Sequence, residues 1–379
     1  MAKRALYWLA VLGTGAAFTA CGGSNGATPT TRMPSTNAVT TVPVTEAATA
    51  EPTAAPTTTL PATLNLAELP GLLAVLADSC DPEPVPIQTQ VPNPVVCLLR
   101  PDGSQARQVS PPGSDPGTPT FTRDGGHVSF SDPYTDFGWV VDIASGAIRE
   151  RVRHEPLRSG VSPDGKWRLY IDSEVGGYAF ANPDDSAFLD GTFGQLVAPD
   201  PQYYDEAAPS WAPDSTRFAY LSFAGSSGSD SLCPEVWVGS IDGTPPVQIS
   251  HFTTTPDGAA ACPSGLRWSP VGEQILLRMQ GKPVFVAENL YLINSDGTGL
   301  TALTHSEPVV DPNGSTYQTV ESSYAGDWSP DGTYIAFIMG DGSAYRLYVM
   351  NAEGGQRTEI SAAPLGITTS LISLRWALG

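Results

Sequence analysis

The chain has 379 residues, with 19 Lys and Arg against 39 Asp and Glu, a formal charge of −20 with His neutral. An acidic balance of that size repels phosphate and anionic lipid headgroups. It excludes nucleic-acid binding and a polybasic mode of membrane attachment.

The amino terminus reads as an export signal, because Lys3 and Arg4 precede an apolar run from Ala5 to Phe18 that ends in Thr19-Ala20-Cys21. The run is shorter than the roughly 20 apolar residues a spanning helix needs, and small residues before a cysteine suit a signal peptidase. The segment resembles a bacterial lipoprotein signal, with Phe18 where that family usually has Leu. The resemblance implies a signal peptide over residues 1–20 and a lipid on Cys21. The mature protein is then tethered to the cell membrane and faces the outside or the periplasm. Removing Lys3 and Arg4 from the 19 basic residues leaves 17 against 39 acidic ones, a mature charge of −22.

Residues 21–63 are dominated by Thr, Pro and Ala and cannot build a core, so they are expected to form a disordered stalk. Its six prolines, from Pro29 to Pro61, favour extended and semi-rigid chain.

From residue 64 to 379 the sequence repeats. One turn recurs as TFTRDG from Thr120, GVSPDG from Gly160, SWAPDS from Ser210, RWSPVG from Arg267 and DWSPDG from Asp327, and LRWALG from Leu374 closes the chain. A second turn recurs as RPDGS, IASGA, NPDDS, SIDGT, NSDGT and NAEGG, from Arg100, Ile143, Asn182, Ser240, Asn294 and Asn351. Pro presets φ for the first central position of a turn, Asp supports the next, and Gly supplies the freedom with which hairpins close. Between the turns lie short β-prone runs such as Tyr334–Met339, Arg217–Leu221 and Leu290–Ile293. The first of these is apolar on both faces, with Ile335, Phe337 and Met339 on one and Tyr334, Ala336 and Ile338 on the other. Sheets of that kind are covered on both sides by neighbouring sheets.

Each repeat therefore reads as inner strand A, tight turn, strand B, loop, strand C, tight turn, outer strand D. There are six A segments and six C-to-D turns but five A-to-B turns, because the last A segment ends at Gly379. Its B, C and D strands lie at the other end of the chain, in Leu72–Ala77, Val95–Leu99 and Gln105–Ser110. The expected fold is all-β: a six-bladed β-propeller of four-stranded antiparallel blades, its ring closed by the C-terminal strand A.

The run W-S-P-D-G, an I-A-F-like strand and L-Y-V-M-N-x-(D/E)-G resembles the PD40 (WD40-like) repeats of the TolB-type periplasmic propeller. The match is strongest over Asp327–Ser361 and Arg267–Thr304 and weakest in the third copy, where Gly177–Phe180 makes a poor strand C. The small α/β module of that family has no counterpart here, so its partner function is not carried over. The same propeller type precedes the catalytic domain of prolyl-oligopeptidase-like peptidases. No G-x-S-x-G elbow follows it in this chain, and a peptidase is not expected.

Four cysteines remain after Cys21: Cys80, Cys97, Cys233 and Cys262. An even number in an oxidising compartment suggests two disulfides, and of the three possible pairings the spacing favours Cys80 with Cys97 and Cys233 with Cys262. The second pair is expected to join two loops and brace the fourth blade. No Cys or His spacing matches zinc.

His154, His251 and His305 each follow a D strand, where a polar residue opening a solvated loop explains them better than a shared metal does. The Asp-Gly pairs lack a calcium-loop ladder and read as turn chemistry. No metal and no cofactor is expected. The B-to-C and D-to-A loops emerge on one face and mix aromatics with acids: Tyr134 and Phe137; Tyr203, Tyr204, Asp205 and Glu206; and Tyr317, Glu321 and Tyr324. Binding usually sits in loops on a rigid scaffold. The expected function is non-enzymatic binding or scaffolding by a monomer that engages a protein or glycan through this face. The alternative is a metal-assisted enzyme or small-molecule sensor using the central channel, which calls for convergent polar residues where the A strands begin. Arg267 and Asp327 stand there.

Overall fold

A computed structural model describes residues 64–80, 93–122, 125–132, 137–152, 161–172, 177–181, 198–199, 209–223, 233–252, 261–281, 287–306, 308–310, 317–319, 322–340, 345–360 and 373–377. The described residues form a β-propeller with five four-stranded antiparallel blades. One combines β1 (Leu72–Ala77), β2 (Val95–Leu99) and β3 (Arg107–Gln108) with the last strand of the chain, β25 (Leu374–Ala377), in the order β25-β1-β2-β3. The next is β4 (Thr120–Phe121), β5 (His127–Ser131), β6 (Phe137–Asp142) and β7 (Ile148–Val152). Further along come β11 (Ser210–Trp211), β12 (Arg217–Ser222), β13 (Glu235–Ser240) and β14 (Val247–Gln248). They are followed by β15 (Ala261–Trp268), β16 (Gln274–Gly281), β17 (Glu288–Asn294) and β18 (Thr301–Ala302). The fifth blade is β21 (Ser322–Trp328), β22 (Tyr334–Gly340), β23 (Tyr345–Asn351) and β24 (Thr358–Glu359).

The repeat count predicts six such blades, and here the structure differs. The third copy forms a three-stranded sheet of β8 (Arg168–Asp172), β9 (Gly177–Ala181) and β10 (Ala198–Pro199). Its expected inner strand is reduced to a single bridge between Val161 and Arg168. The turn itself is intact. Ser162 Oγ donates to Asp164 Oδ1 at 2.6 Å and accepts the Trp167 N–H at 3.0 Å, as Ser329 does with Asp331 and Tyr334 at 2.6 and 2.9 Å. The flanking chemistry is what changes. Gly160 stands where other copies have Ser210, Arg267 or Asp327, and glycine weakens a strand. In β10, Pro199 has no N–H to give the ladder.

A ribbon of β19 (Pro308–Val310) and β20 (Tyr317–Thr319) lies between β18 and β21, in a stretch read from sequence as loop.

Neighbouring sheets share their cores. Trp328, Ile335, Phe337 and Met350 of the fifth blade pack with Leu276, Leu290 and Leu292 of the blade before it. The opposite face of the same blade, through Ala336, Ile338, Leu347 and Val349, packs with Leu73, Val75 and Trp376. Similar clusters join β11–β14 to β15–β18, β1–β3 to β4–β7, and β8–β9 to β11–β13. This explains the double-faced apolar strands. Each fully buried large apolar side chain stabilises by about 1.5–3 kcal/mol relative to exposure.

The ring closes as the repeat count requires. β25 pairs antiparallel with β1, in the register Leu72↔Ala377, Leu73↔Trp376, Ala74↔Arg375 and Val75↔Leu374. The Trp376 indole donates to Pro70 O at 2.9 Å, and its backbone N–H donates to Asp327 Oδ2 at 2.9 Å, tying β25 to the neighbouring blade.

A second recurring bond fixes the outer strands. The hydroxyls of Ser110, Ser250 and Thr304 accept the N–H groups of Val96, Val236 and Leu290 at 3.0, 2.8 and 2.9 Å, each 14 residues upstream. The I-S and L-T endings of the repeat are therefore strand-C anchors.

On the tight-turn face the aspartates accept the N–H and O–H groups of their own turns, which favours the ionised form. Hydrogen bonds from Ser162 and Lys166 hold Asp164 at about 2, and bonds from Thr244 and Ser240 hold Asp242 at about 2, below the ordinary 3.8. Because the folded value is depressed, this contribution to stability is present above pH 4 and lost as pH falls from about 4 through about 2. Carboxyl NMR titration is expected to place both midpoints near 2. Midpoints near 4 contradict the turn geometry.

Candidate functional site

In an antiparallel A-B-C-D blade both tight turns leave from one end, so the long B-to-C and D-to-A connections share the other. Both disulfides lie at this loop-face end. Cys80 follows β1 and bonds Cys97 in β2, with Cα atoms 5.5 Å apart, so it pins the base of a B-to-C connection. Cys233 precedes β13 and bonds Cys262, with Cα atoms 5.1 Å apart. The pairings are those favoured by spacing, but the second bridge departs from expectation. Cys262 lies inside β15 and not in a loop, because that inner strand starts at Ala261, so the bridge fastens two adjacent blades.

In the described part of the loop-face half, polar side chains meet in the seam between the β15–β18 and β21–β24 blades. Their inner strands are both irregular at one level, with register shifts between Pro263 and Gly265 in β15 and between Ser323 and Gly326 in β21. Bulges of this kind bend an inner strand and re-aim its side chains. A Cβ on Gly326 would lie 3.1 Å from Leu276 Cδ2 and 3.3 Å from Leu290 Cδ1, so β21 approaches the neighbouring blade closely at this glycine, and a larger residue would press those leucines aside.

Arg278 of β16 reaches into this seam. Its Nε donates to Ser264 Oγ at 2.9 Å, Nη1 to Tyr324 O at 3.4 Å and Nη2 to Ser264 O at 3.5 Å, and the head group lies 3.6 Å from Glu288 Oε2. Glu288 also accepts from Gln280 Nε2 at 2.6 Å. Toward the centre of the propeller, the residue before each inner-strand Trp forms a partial ring. Ser210 Oγ accepts the Trp268 N–H at 2.8 Å from the next blade, and Asp327 plays the same part toward Trp376. Arg267 and Arg375 share one conformation, each donating Nη1 to the carbonyl before it, at 2.6 and 2.7 Å. Burial pushes the Asp327 carboxyl above its ordinary range, while Arg375 and Arg267 pull against that shift. Arg267 and Arg278 line one small cavity with Gly265, Leu276, Tyr324 and Gly326.

No family model matches the chain. Among solved structures it is similar to TolB from Acinetobacter baumannii, with a TM-score of 0.56 and 16% identity over 81% of this chain and 66% of that one. It is also similar to a putative TolB from Agrobacterium tumefaciens, with a TM-score of 0.50 and 14% identity over 77% of this chain and 88% of that one. The fold is a TolB-like β-propeller. The chain spans just under two thirds of the Acinetobacter protein, and at these identities the likeness is one of fold.

On the TolB-like scaffold the expected binding residues are placed unevenly. Tyr324 is half-buried, packs its ring edge-on against Tyr345 with centroids 5.1 Å apart, and touches the core shared with the closing strand. Phe137 opens β6, paired with Val152, and Tyr317 opens β20, paired with Val310. Tyr134, Tyr203, Tyr204, Asp205, Glu206, Glu321, the lipidation residue Cys21 and His154 lie outside the described residues. His251 is exposed, with its Nδ1 2.9 Å from Gln248 Nε2, and His305 is exposed. Among the described residues no three His, Cys, Asp or Glu side chains are grouped as a metal site requires.

Sequence reasoning missed Arg278, Ser264, Glu288 and Arg375. A signal existed for the first: a charged residue inside the apolar run Ile275-Leu-Leu-Arg-Met279 belongs to a strand buried on both faces, and buried charges are paired.

Proposed function

We propose that the protein is an extracytoplasmic, membrane-tethered binding or scaffolding propeller, non-enzymatic, that engages a protein or glycan through its B-to-C and D-to-A loop face. The observation that carries this reading is the position of both disulfides at the loop-face end. The tight-turn face is held by local hydrogen bonds and ion pairs, such as Asp164 with Lys166 and Arg217 with Asp214, whereas long connections need another restraint to present a fixed surface. Preorganised loops lose less entropy on binding. Disulfides also persist in oxidising compartments, in keeping with the export signal. Among the described residues no helix is long and apolar enough to cross a membrane, and the lipid on Cys21 supplies the tether in this reading.

The test is cross-linking and capture from membranes with full-length lipidated protein, compared with a variant carrying Tyr134→Ala, Tyr203→Ala and Tyr204→Ala. Loss of the captured partners from the variant is expected, with no loss from a turn-face Asp242→Ala control. Unchanged partners remove the loop-face reading. Mass spectrometry of the mature amino terminus tests the tether separately, and an unmodified Cys21 in soluble protein contradicts it.

A further inference from the structure

We propose that the outer edge of β7 binds an extended acidic segment of a partner protein, which joins the β4–β7 blade as a fifth strand. This edge lies on the rim of the propeller and is independent of the loop face.

β7 stands last in its sheet, so one side of it carries main-chain groups that no described strand pairs. The other four blades keep this edge short: β3, β14, β18 and β24 have two residues each. β7 has five. A long open edge is a template for another strand. The pairing register shows which groups it offers. The Asp142 N–H donates to Ala147 O at 2.9 Å, and Val140 and Gly138 pair with Arg149 and Arg151. Bonded pairs alternate along an antiparallel ladder, so the N–H and C=O groups of Ile148, Glu150 and Val152 point outward.

Charge selects the occupant. Arg149, Arg151 and Arg153 against Glu150 give residues 149–153 a charge of +2, in a chain of −20. Arg149 is exposed, and Arg149 and Arg151 stand two apart in β7, the spacing that shares one face of a strand. A second copy of β7 laid antiparallel about Glu150 sets Arg149 against Arg151 and Glu150 against Glu150. Like charges directly opposed destabilise such a pair, whereas an acidic strand meets the arginines with opposite charge. Ile148, 47% exposed, and Glu150 belong to the other face. The segment that fits therefore alternates, with acidic residues at the arginine positions and apolar ones between them. Main-chain bonds supply affinity in this mode and alternate side chains supply selectivity. The acidic remainder of the surface repels the same segment elsewhere.

The test is fluorescence anisotropy of a labelled Thr-Asp-Val-Asp-Val-Asp-Thr peptide titrated with the full chain, with amide exchange followed across β7. Saturable binding is expected, with slowed exchange at Ile148, Glu150 and Val152. Affinity is expected to fall about tenfold or more in Arg149→Glu/Arg151→Glu, in Glu150→Pro, which removes one outward N–H, and for the same peptide N-methylated throughout. If Glu150→Pro fails to fold, the charge-reversed variant and the N-methylated peptide decide. Absence of saturable binding overturns the proposal, as does affinity unchanged in both variants. Equal binding of the N-methylated peptide also overturns it, because charge alone then explains the affinity. A dimer of the unsubstituted protein in sedimentation that Glu150→Pro abolishes gives the edge to a second copy and overturns it too.

Discussion

Trp376→Ala is expected to lower the free energy of unfolding by about 3–5 kcal/mol, the usual loss for a large buried aromatic. The total for a domain is about 5–15 kcal/mol, so one substitution three residues before Gly379 removes a large share of it. The indole is 6% exposed, sits in the core shared by β1, β2 and the fifth blade, and donates to Pro70 O. It is therefore a joint between the two ends of the chain. Denaturant unfolding monitored by far-UV circular dichroism measures the loss. Removal of residues 372–379 is expected to do at least as much, because the whole β1–β25 ladder goes with it. An unchanged midpoint in either variant means that β25 does not close the ring.

Gly71→Ala is expected to disrupt the same joint through the backbone. Gly71 has φ +88°, a conformation that costs other residues about 1–3 kcal/mol. A Cβ there would also lie 2.1 Å from Ala377 O and 3.1 Å from the Trp376 indole nitrogen. The main chain of β25 would have to move, and the Leu72↔Ala377 pairing would be lost with the indole's bond to Pro70. The expected outcome is a destabilisation comparable to that of Trp376→Ala. The double variant is expected to lose much less than the sum, because neighbouring sites at one joint are not additive. Additive losses contradict a shared mechanism.

Much of this architecture is legible in the chain because it rests on local chemistry repeated at fixed places. The W-S-P-D-G turns need Ser and Asp where Ser329 and Asp331 bond each other. The disulfide pairings followed from spacing, and the closing strand from a count of turns. Legibility fails where a strand depends on what flanks it. The GVSPDG turn is as well formed as the others, yet Val161 makes only one bridge, since a turn fixes itself while a strand requires partners along its length. The β19–β20 ribbon shows the converse: Asn313-Gly314 between β-prone runs is a hairpin signal that a loop reading of that stretch passed over.

The candidate site was harder to read than the fold. Ser264, Arg278 and Glu288 come from strands A, B and C of one blade, and Tyr324 from strand A of the next, with Ser264 and Tyr324 both at bulges. Their meeting depends on strand register, on the two bulges and on the neighbouring blade, which no short motif encodes. Tyr324 illustrates the difficulty, because a tyrosine near a strand end reads equally as a binding residue or as a cap on the core, and the ring packs against Tyr345.

The central structural claim is that strands from the two ends of one chain form one blade. Replacing Leu72 and Ala377 by cysteine tests it most directly, since these two residues are register partners and directly opposed strand residues lie at Cα separations that a disulfide spans. Oxidation of Leu72→Cys/Ala377→Cys is expected to give a 72–377 cross-link in the peptide map beside the two native bridges. It is also expected to raise the unfolding midpoint, because closing a loop of roughly 300 residues stabilises by up to about 5 kcal/mol in the chain-entropy account. Free thiols at both positions in protein whose native bridges have formed contradict the closed ring.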